Sequence, residues 1–227
     1  MAIITIDGPA GVGKSSVALS LASELAIPNL DTGAMFRFAA LKLGDKALDW
    51  PEGKLTEAMQ ALQFNLENSN GEWVLSCNGE KAGSQLRNEE IGNLASRLAN
   101  LPTVREELRK AQRKIGEKHS LIAEGRDMGS VVFPNAELKI FLDASPAIRA
   151  KRRYLQLTEK GQKPNLGELE KAIMERDERD RSRKIAPLKA APGAIVIDTG
   201  NLNLGEVLEK IRRLIETKKR DDPAFIL

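Results

Sequence analysis

The stretch "GPAGVGKS" at residues 8–15 constrains this chain more than any other. It fits the pattern G-x-x-x-x-G-K-[S/T], and the pattern needs a context: a buried strand before it and a helix after it. Both are expected here. "AIITID" (2–7) is a β-branched run that reads as a buried strand, and "GKSSVALSLASELA" (13–26) carries Val17, Leu21 and Leu25 at helical spacing. Gly8, Gly11 and Gly13 let the backbone turn its N–H groups inward around an anion, with Pro9, Ala10 and Val12 completing the loop. The helix start, with Ser16 in its first turn, adds a positive dipole end. Lys14 is placed to reach the β- and γ-phosphates of a nucleoside triphosphate, and Ser15 offers a hydroxyl to Mg2+. At an ordinary glycine frequency of about 7%, a chance match in a chain of this size is on the order of one in a hundred.

The remaining periodicity alternates strands with helices. "IPNLDTG" is a short strand or loop, and "AMFRFAALKLG" a helix that ends at Gly44. Residues 62–87 differ: "LQFNL" and "EWVLSC" alternate, "NSNG" and then "NG" at 78–79 supply turns, and the segment reads as a three-stranded meander inserted between helical stretches. Helical spacing resumes at 89–100 and 103–118; "SLIAEG" (120–125) and "LKIFLDAS" (138–145) are strands around a turn-rich "RDMGSVVFPNAE". A basic helix follows at 146–160, "GQKPN" breaks it, a long helix spans about 166–183, and "GAIVIDTG" with "LGEVLEKIRRLIETKK" close the pattern as strand and helix. This order argues an α/β fold with a parallel sheet covered on both faces.

Composition narrows the function. With 227 residues, 41% hydrophobic and 30% charged, the chain suits one substantial globular domain. Aromatics at 4% disfavour a platform that stacks successive bases, and 35 Lys and Arg against 32 Asp and Glu, a formal +3, give no general basic surface, so no nucleic-acid partner is expected. The single Cys77 and single His119 exclude an intrachain disulfide and His or Cys metal clusters. No basic-then-apolar leader opens the sequence and no apolar run approaches about 18 residues, so the expected location is the cytoplasm, with no membrane partner.

A triphosphate loop serves many activities. N-K-x-D, the tetrapeptide usual for guanine recognition, does not occur. A small chain with such a loop and several arginines suggests a kinase for a small acceptor, because phosphoryl transfer is mostly positioning and charge neutralisation. "RDERDRSR" (176–183) bears on this. At 100° per residue the apolar stripe Leu166, Leu169, Ile173 continues into Arg176, Asp180 and Arg183, with Asp177 at its edge and Glu178 and Ser182 on the far side. An Asp between Arg at i−4 and i+3 forms an ion-pair lattice with spare guanidinium donors, which suits a phosphate. The plainer reading is a solvated charged face.

Arg126 and Asp127 stand at the C-terminal end of a hydrophobic strand, the edge where open α/β sheets bind ligands. Glu124 is a candidate partner of Mg2+ through water, or a carboxylate simply packed near Lys14. Arg37, alone, reads as a surface arginine, and "IRAKRR" (148–153) as a mobile basic lid or a solvated helix.

Taken in order, "IDGPAGVGKSS", "LDTGAMFR", "EGRDMGSVVFP", "IFLDASP", "RAKRR" and "RDERDRSR…APL" resemble bacterial cytidylate kinases of the long form. The resemblance implies a P-loop five-stranded parallel sheet, an acceptor lobe carrying the inserted meander (about 31–100), a short helical lid (about 147–183) and a core of about 1–30, 101–146 and 184–227. It implies transfer of the ATP γ-phosphate to CMP or dCMP with Mg2+, by a monomer. Residue by residue, Lys14 and the loop glycines resemble those that hold ATP; Arg37, Arg126 and Arg183 those that grip the acceptor phosphate; Arg176 and Asp180 those that meet the ribose. Thr32, Arg105 and Asp127 resemble the cytosine readers, and Arg149 and Arg153 the lid arginines, with Arg153 joining Lys14, Arg126 and Arg183 in catalysis. Position 32 is Thr where many members have Ser, and Phe36 replaces a frequent Tyr, which removes a phenol hydroxyl. The alternatives are a P-loop kinase for another monophosphate or shikimate, and a nucleotide sensor or nucleic-acid-binding module.

Overall fold

The computed structural model describes residues 1–69 and 71–226, without the side chain of Arg87. Asn70, within the expected "NSNG" turn, lies outside the described residues. The first strand is β1 (Ile3–Asp7), followed by α1 (Lys14–Leu25), β2 (Asn29–Asp31) and α2 (Thr32–Leu43). After α3 (Glu52–Gln60) come the strands β3 (Phe64–Ser69), β4 (Glu72–Cys77) and β5 (Glu80–Lys81). Then follow α4 (Glu89–Leu98), α5 (Pro102–Gly116), β6 (Leu121–Gly125), β7 (Leu138–Asp143), α6 (Pro146–Glu159), α7 (Leu166–Arg181), β8 (Ile195–Asp198) and α8 (Leu204–Asp221).

Five strands form one parallel sheet in the order β2-β6-β1-β7-β8, and β3-β4-β5 form a separate antiparallel sheet. Alternation along β6 divides the core. Leu121 and Ala123 point into a cluster with Met35, Phe38, Val104 and Leu108 from α2 and α5, while Ile122 points into a cluster with Val17, Leu21, Ile211 and Ile215 from α1 and α8. Helices therefore cover both faces, and the central strands read as continuous hydrophobic runs. The meander closes on the first cluster through Leu66, Leu75 and Cys77, and Trp73 meets His119 edge-to-face at 5.0 Å between ring centres. The "NG" hairpin is as expected: Asn78 and Gly79 take φ values of 51° and 80°.

Two local expectations change. Helix α3 was not anticipated between Gly44 and residue 62; only Leu55 and Met59, one turn apart, bury its face, too sparse a pattern to stand out. Helix α7 ends at Arg181, so Arg183 sits beyond the helix, where the chain turns and the Leu188 N–H donates to the Asp180 carbonyl at 2.8 Å. Strand β1 pairs with β6 on one side and β7 on the other, so the chain's path diverges at its C-terminal end. That divergence opens a crevice, and the glycine loop lies in it. Among the described residues, no helix is long and apolar enough to cross a membrane.

Candidate active site

The loop between β1 and α1 has its glycines at φ 149° (Gly8), 76° (Gly11) and 102° (Gly13). Gly8 is fixed by space as well: a Cβ there would stand 2.2 Å from the Leu142 carbonyl oxygen. Helix α1 starts with no side-chain cap and no acid in its first turn, so its leading N–H groups keep their capacity for an anion. Lys14 is buried and donates through Nζ to the Pro9 carbonyl at 2.7 Å. Burial, then the neighbouring Arg126, pushes its pKa well down. Ser15 Oγ donates to Glu124 Oε2 at 2.8 Å, and Glu124 Oε1 is buried with no protein partner. Burial and Asp31 raise the Glu124 carboxyl to about 7. A cation would remove that misfit, so the residues present fit Mg2+ at Ser15, with Glu124 receiving a metal-bound water.

Beyond the loop, arginines converge from three elements. Arg126 follows β6, Arg37 lies on α2, and Arg176 and Arg183 come from α7 and its exit. Asp180, 1% exposed, accepts from Arg126 Nε at 3.0 Å and from Arg183 Nη2 at 2.5 Å. Burial opposes its charge, but Arg126, Arg183 and Arg176 together hold its pKa below the usual carboxylate value. Its bonded partners are thus Arg183 at i+3 and Arg126 across the crevice; Arg176 acts on it through its field without bonding. Arg176 Nε is buried and unpartnered, and burial, Arg126 and Arg37 lower this guanidinium to about 10. Positive charge here exceeds what the protein compensates, the condition of an anion site.

The face of α7 differs from the helical-wheel expectation at both ends. Leu166 is exposed, and Asp177, expected at the edge, is buried. Its partner is Arg149 on α6, 1% exposed, which grips Asp177 with both terminal nitrogens and donates to the Ala144 carbonyl at 2.9 Å and the Ala10 carbonyl at 3.0 Å. Arg149 is therefore an internal brace under the glycine loop, not a free lid arginine. Arg153, one turn further along α6, is half-buried, and its side chain makes no hydrogen bond or ion pair to another described residue.

Next to the arginines lies a cavity of about 480 Å³ whose walls include Phe36, Arg105, Gln112, Asp127 and Val132. Arg105 Nη2 donates to Asp127 Oδ2 at 2.7 Å, and both side chains are buried. Asp127 thus neutralises Arg105 rather than its neighbour Arg126. The Phe36 ring faces the Arg105 guanidinium at 5.7 Å, so the residue without a phenol hydroxyl serves as an apolar and cation–π wall. Thr32 is buried and its hydroxyl donates to the Glu124 carbonyl at 2.7 Å.

The sequence profile of the cytidylate kinase family matches residues 4–217. The chain belongs to the cytidylate kinase family. A cytidylate kinase of Nitratidesulfovibrio vulgaris (strain Hildenborough) is 49% identical over 216 residues, 95% of this chain and 93% of that protein. One from Maridesulfovibrio salexigens is 49% identical over 218 residues, 96% and 97% of the two chains, and one from Thermosipho melanesiensis 46% identical over 215 residues, 95% and 97%. This cytidylate kinase family member is a phosphotransferase, and its parallel sheet, glycine loop and inserted meander agree with the fold expected from sequence.

Sequence reasoning passed over two polar side chains at this kinase's crevice and one pairing between residues it had named separately. Asp7, the last residue of β1, is buried and accepts from the Met128 and Gly129 N–H groups at 2.9 and 2.8 Å; burial, opposed by these two bonds, raises its carboxyl to about 6. Gln112 is buried in the cavity wall with Nε2 unpartnered. The pairing is that of Arg149 with Asp177. For Asp7 there was a signal: an acid closing an otherwise apolar buried strand requires a built-in partner.

Proposed function

We propose that this chain transfers the γ-phosphoryl group of ATP to CMP and dCMP, giving ADP and CDP or dCDP. The observation that carries the reading is the juxtaposition of two anion-seeking regions, the glycine loop with Lys14 and the Arg37–Arg126–Arg176–Arg183 group, beside a cavity walled by the Arg105–Asp127 pair. ATP lies on the loop and the first turn of α1, along Gly8, Pro9, Ala10, Gly11, Val12, Gly13, Lys14, Ser15 and Ser16. The acceptor phosphate takes the unfilled donors of Arg37, Arg126 and Arg183, and its ribose meets Arg176 and Asp180. The base enters the cavity, where Asp127, Arg105 and the Thr32 oxygen meet its edge. Ser15 would hold Mg2+, with Glu124 reaching it through a water, and the ion would neutralise charge on the triphosphate.

No general base is required. A monophosphate oxygen is already anionic, so the protein's work is alignment and charge neutralisation by Lys14, Arg126, Arg183 and, from the lid, Arg153. Cytosine is distinguished from uracil by its exocyclic amino group, a donor where uracil has a carbonyl; a carboxylate such as Asp127 accepts only from the former. Because Arg149 fixes the first turn of α6 to the loop, the moving lid is the remainder of α6, the 160–165 connection and the first half of α7. ADP release with ATP, Mg2+ and each of CMP, dCMP, UMP, AMP and GMP is the test. CMP and dCMP should give the largest kcat/KM, and equal values for CMP and UMP would overturn the assignment.

A further inference from the structure

Strand β1 ends on Asp7, and the next residue opens the glycine loop. Its backbone pairs in register with Gly125, the last residue of β6, and its side chain accepts from the N–H groups of Met128 at 2.9 Å and Gly129 at 2.8 Å. Between these two anchor points lie only Arg126 and Asp127. The pair therefore forms a two-residue arch pinned at both feet to one residue. One foot is held by strand pairing, the other by the carboxylate. The turn beyond is wide: the N–H groups of Val131 and Val132 both donate to the Asp127 carbonyl, at 2.9 and 3.2 Å. The far side of that turn is held by Arg113 on α5, which donates to the Val131 and Val132 carbonyls at 2.8 and 2.9 Å, whereas at the foot of the arch Met128 and Gly129 give their N–H groups to Asp7.

We propose that Asp7 is a positioning residue for the acceptor: it sets where Arg126 and Asp127 stand relative to the glycine loop, and through them the fit of the acceptor's phosphate and base. The argument rests on the functional reading above. Arg126 bonds Asp180 and reaches the phosphate crevice, and Asp127 bonds Arg105 in the cavity wall, so a shift of the arch moves both contacts together. The glycine loop is covalently joined to Asp7 but is held independently, by its own glycine conformations and by Arg149 beneath Ala10. A change in the carboxylate should therefore act on the acceptor more than on ATP. Space is tight at the far foot: a Cβ on Gly129 would stand 2.8 Å from Thr5 Oγ1, so the position is restricted to glycine.

Asp7→Asn tests this. An amide offers one acceptor oxygen and one NH2 donor, so it keeps one of the two backbone bonds and sets a donor against the other N–H. The expected result is a rise of about tenfold or more in KM for CMP and a CMP-to-UMP ratio of kcat/KM that falls several-fold, with KM for ATP within about twofold of wild type. A purely structural role would lower the active fraction and the melting temperature, leaving both KM values and the ratio unchanged; that outcome overturns the proposal. Asp7→Ser, which accepts from one N–H without opposing the other, should give the same pattern more weakly. Failure of both variants to fold also overturns it, since Asp7 would then hold the fold rather than the arch. The wild type separates the two levels of argument. If it shows no preference for CMP, the functional reading fails; if it does and Asp7→Asn keeps that preference and its KM values, only the role of Asp7 fails.

Discussion

Asp180→Ala is the sharpest perturbation of the arginine group, because one carboxylate there compensates several guanidinium groups. Its side chain is 2% exposed and bonds Arg126, 20% exposed, and Arg183, 7% exposed. Removing one partner of a buried ion pair leaves the other charge stranded, at about 3–5 kcal/mol. Arg126 retains some water, so the lower end, about 3 kcal/mol, is the better figure for the unliganded protein. In a chain of 227 residues each kcal/mol moves the melting temperature by about 2–4 °C, so the variant should melt about 6–12 °C lower in dilute buffer.

The same reasoning fixes a second sign. Without Asp180, Arg126, Arg176 and Arg183 lose the carboxylate that offsets their mutual repulsion. An added anion should then bind more tightly than in wild type. Each tenfold tightening adds about 1.4 kcal/mol at saturation, roughly 3–6 °C. Inorganic phosphate is the right probe, since CMP would also test the proposed ribose contact. Thermal melts at low ionic strength, with phosphate titrated into both proteins, give the answer. If the variant melts with the wild type, or phosphate raises both by the same amount, then the arginines are solvated rather than gathered round an anion site, and the reasoning is wrong.

Asp127→Asn should narrow the CMP-to-UMP ratio of kcat/KM by about 1–3 kcal/mol, because an amide can donate to the uracil carbonyl; an unchanged ratio removes Asp127 as a base reader. Lys14→Ala should lower kcat by about 10²–10³ with an unchanged circular dichroism spectrum, since its charge acts on the transferring group and its burial leaves no surface role. Hydrogen exchange with and without a bisubstrate analogue should show protection gained over about 154–174 and little change over 146–152, where Arg149 already fixes α6; no gain over 154–174 removes the lid. Asp7, raised from 3.8 to about 6, holds its proton in the native state after the unfolded chain has lost it, so its contribution to stability grows as pH falls from about 6 to about 4 and is absent above about 6. The span is roughly 3 kcal/mol, and Asp7→Asn should remove that part of the pH slope in chemical denaturation; an identical slope in the variant refutes the raised pKa.

How much of this was legible in sequence depends on how many chain segments each feature needs. The glycine loop needs one, and its residues, its flanking strand and its helix all stand as read. The inward turn of Asp180 was legible from the period of α7 alone. The burial of Asp177 was not, because its cause is Arg149 on a different helix, and a helical wheel carries no information about a partner that arrives from elsewhere. Leu166 failed for the converse reason: an apolar residue at the right angle has nothing to pack on at the start of α7 and stays exposed. Helix α3 was missed because two apolar residues suffice when the rest of the segment faces water. Candidate base readers came through the family resemblance, and the bond between Arg105 and Asp127 came only with the fold.

One physical distinction sorts the buried charges at this end of the sheet. Arg149 and Asp177 satisfy each other with two bonds and leave little field outside, so their burial is complete without any ligand. Asp7 is satisfied by two backbone N–H groups, and its strain shows only as a raised pKa. Of the described side chains with an unpartnered buried polar atom, Arg176 and Glu124 are the two that carry charge. Each keeps a buried polar atom with no protein partner, one cationic and one anionic, and their pKa values move toward neutrality from opposite directions. A fold gains nothing from such groups, since each unfilled donor or acceptor is costly in a low-dielectric setting. On the proposed function, an acceptor nucleotide in the crevice beside Arg176 and a cation near Glu124 would relieve their mismatch, and a Mg2+-bearing triphosphate facing that acceptor would supply both.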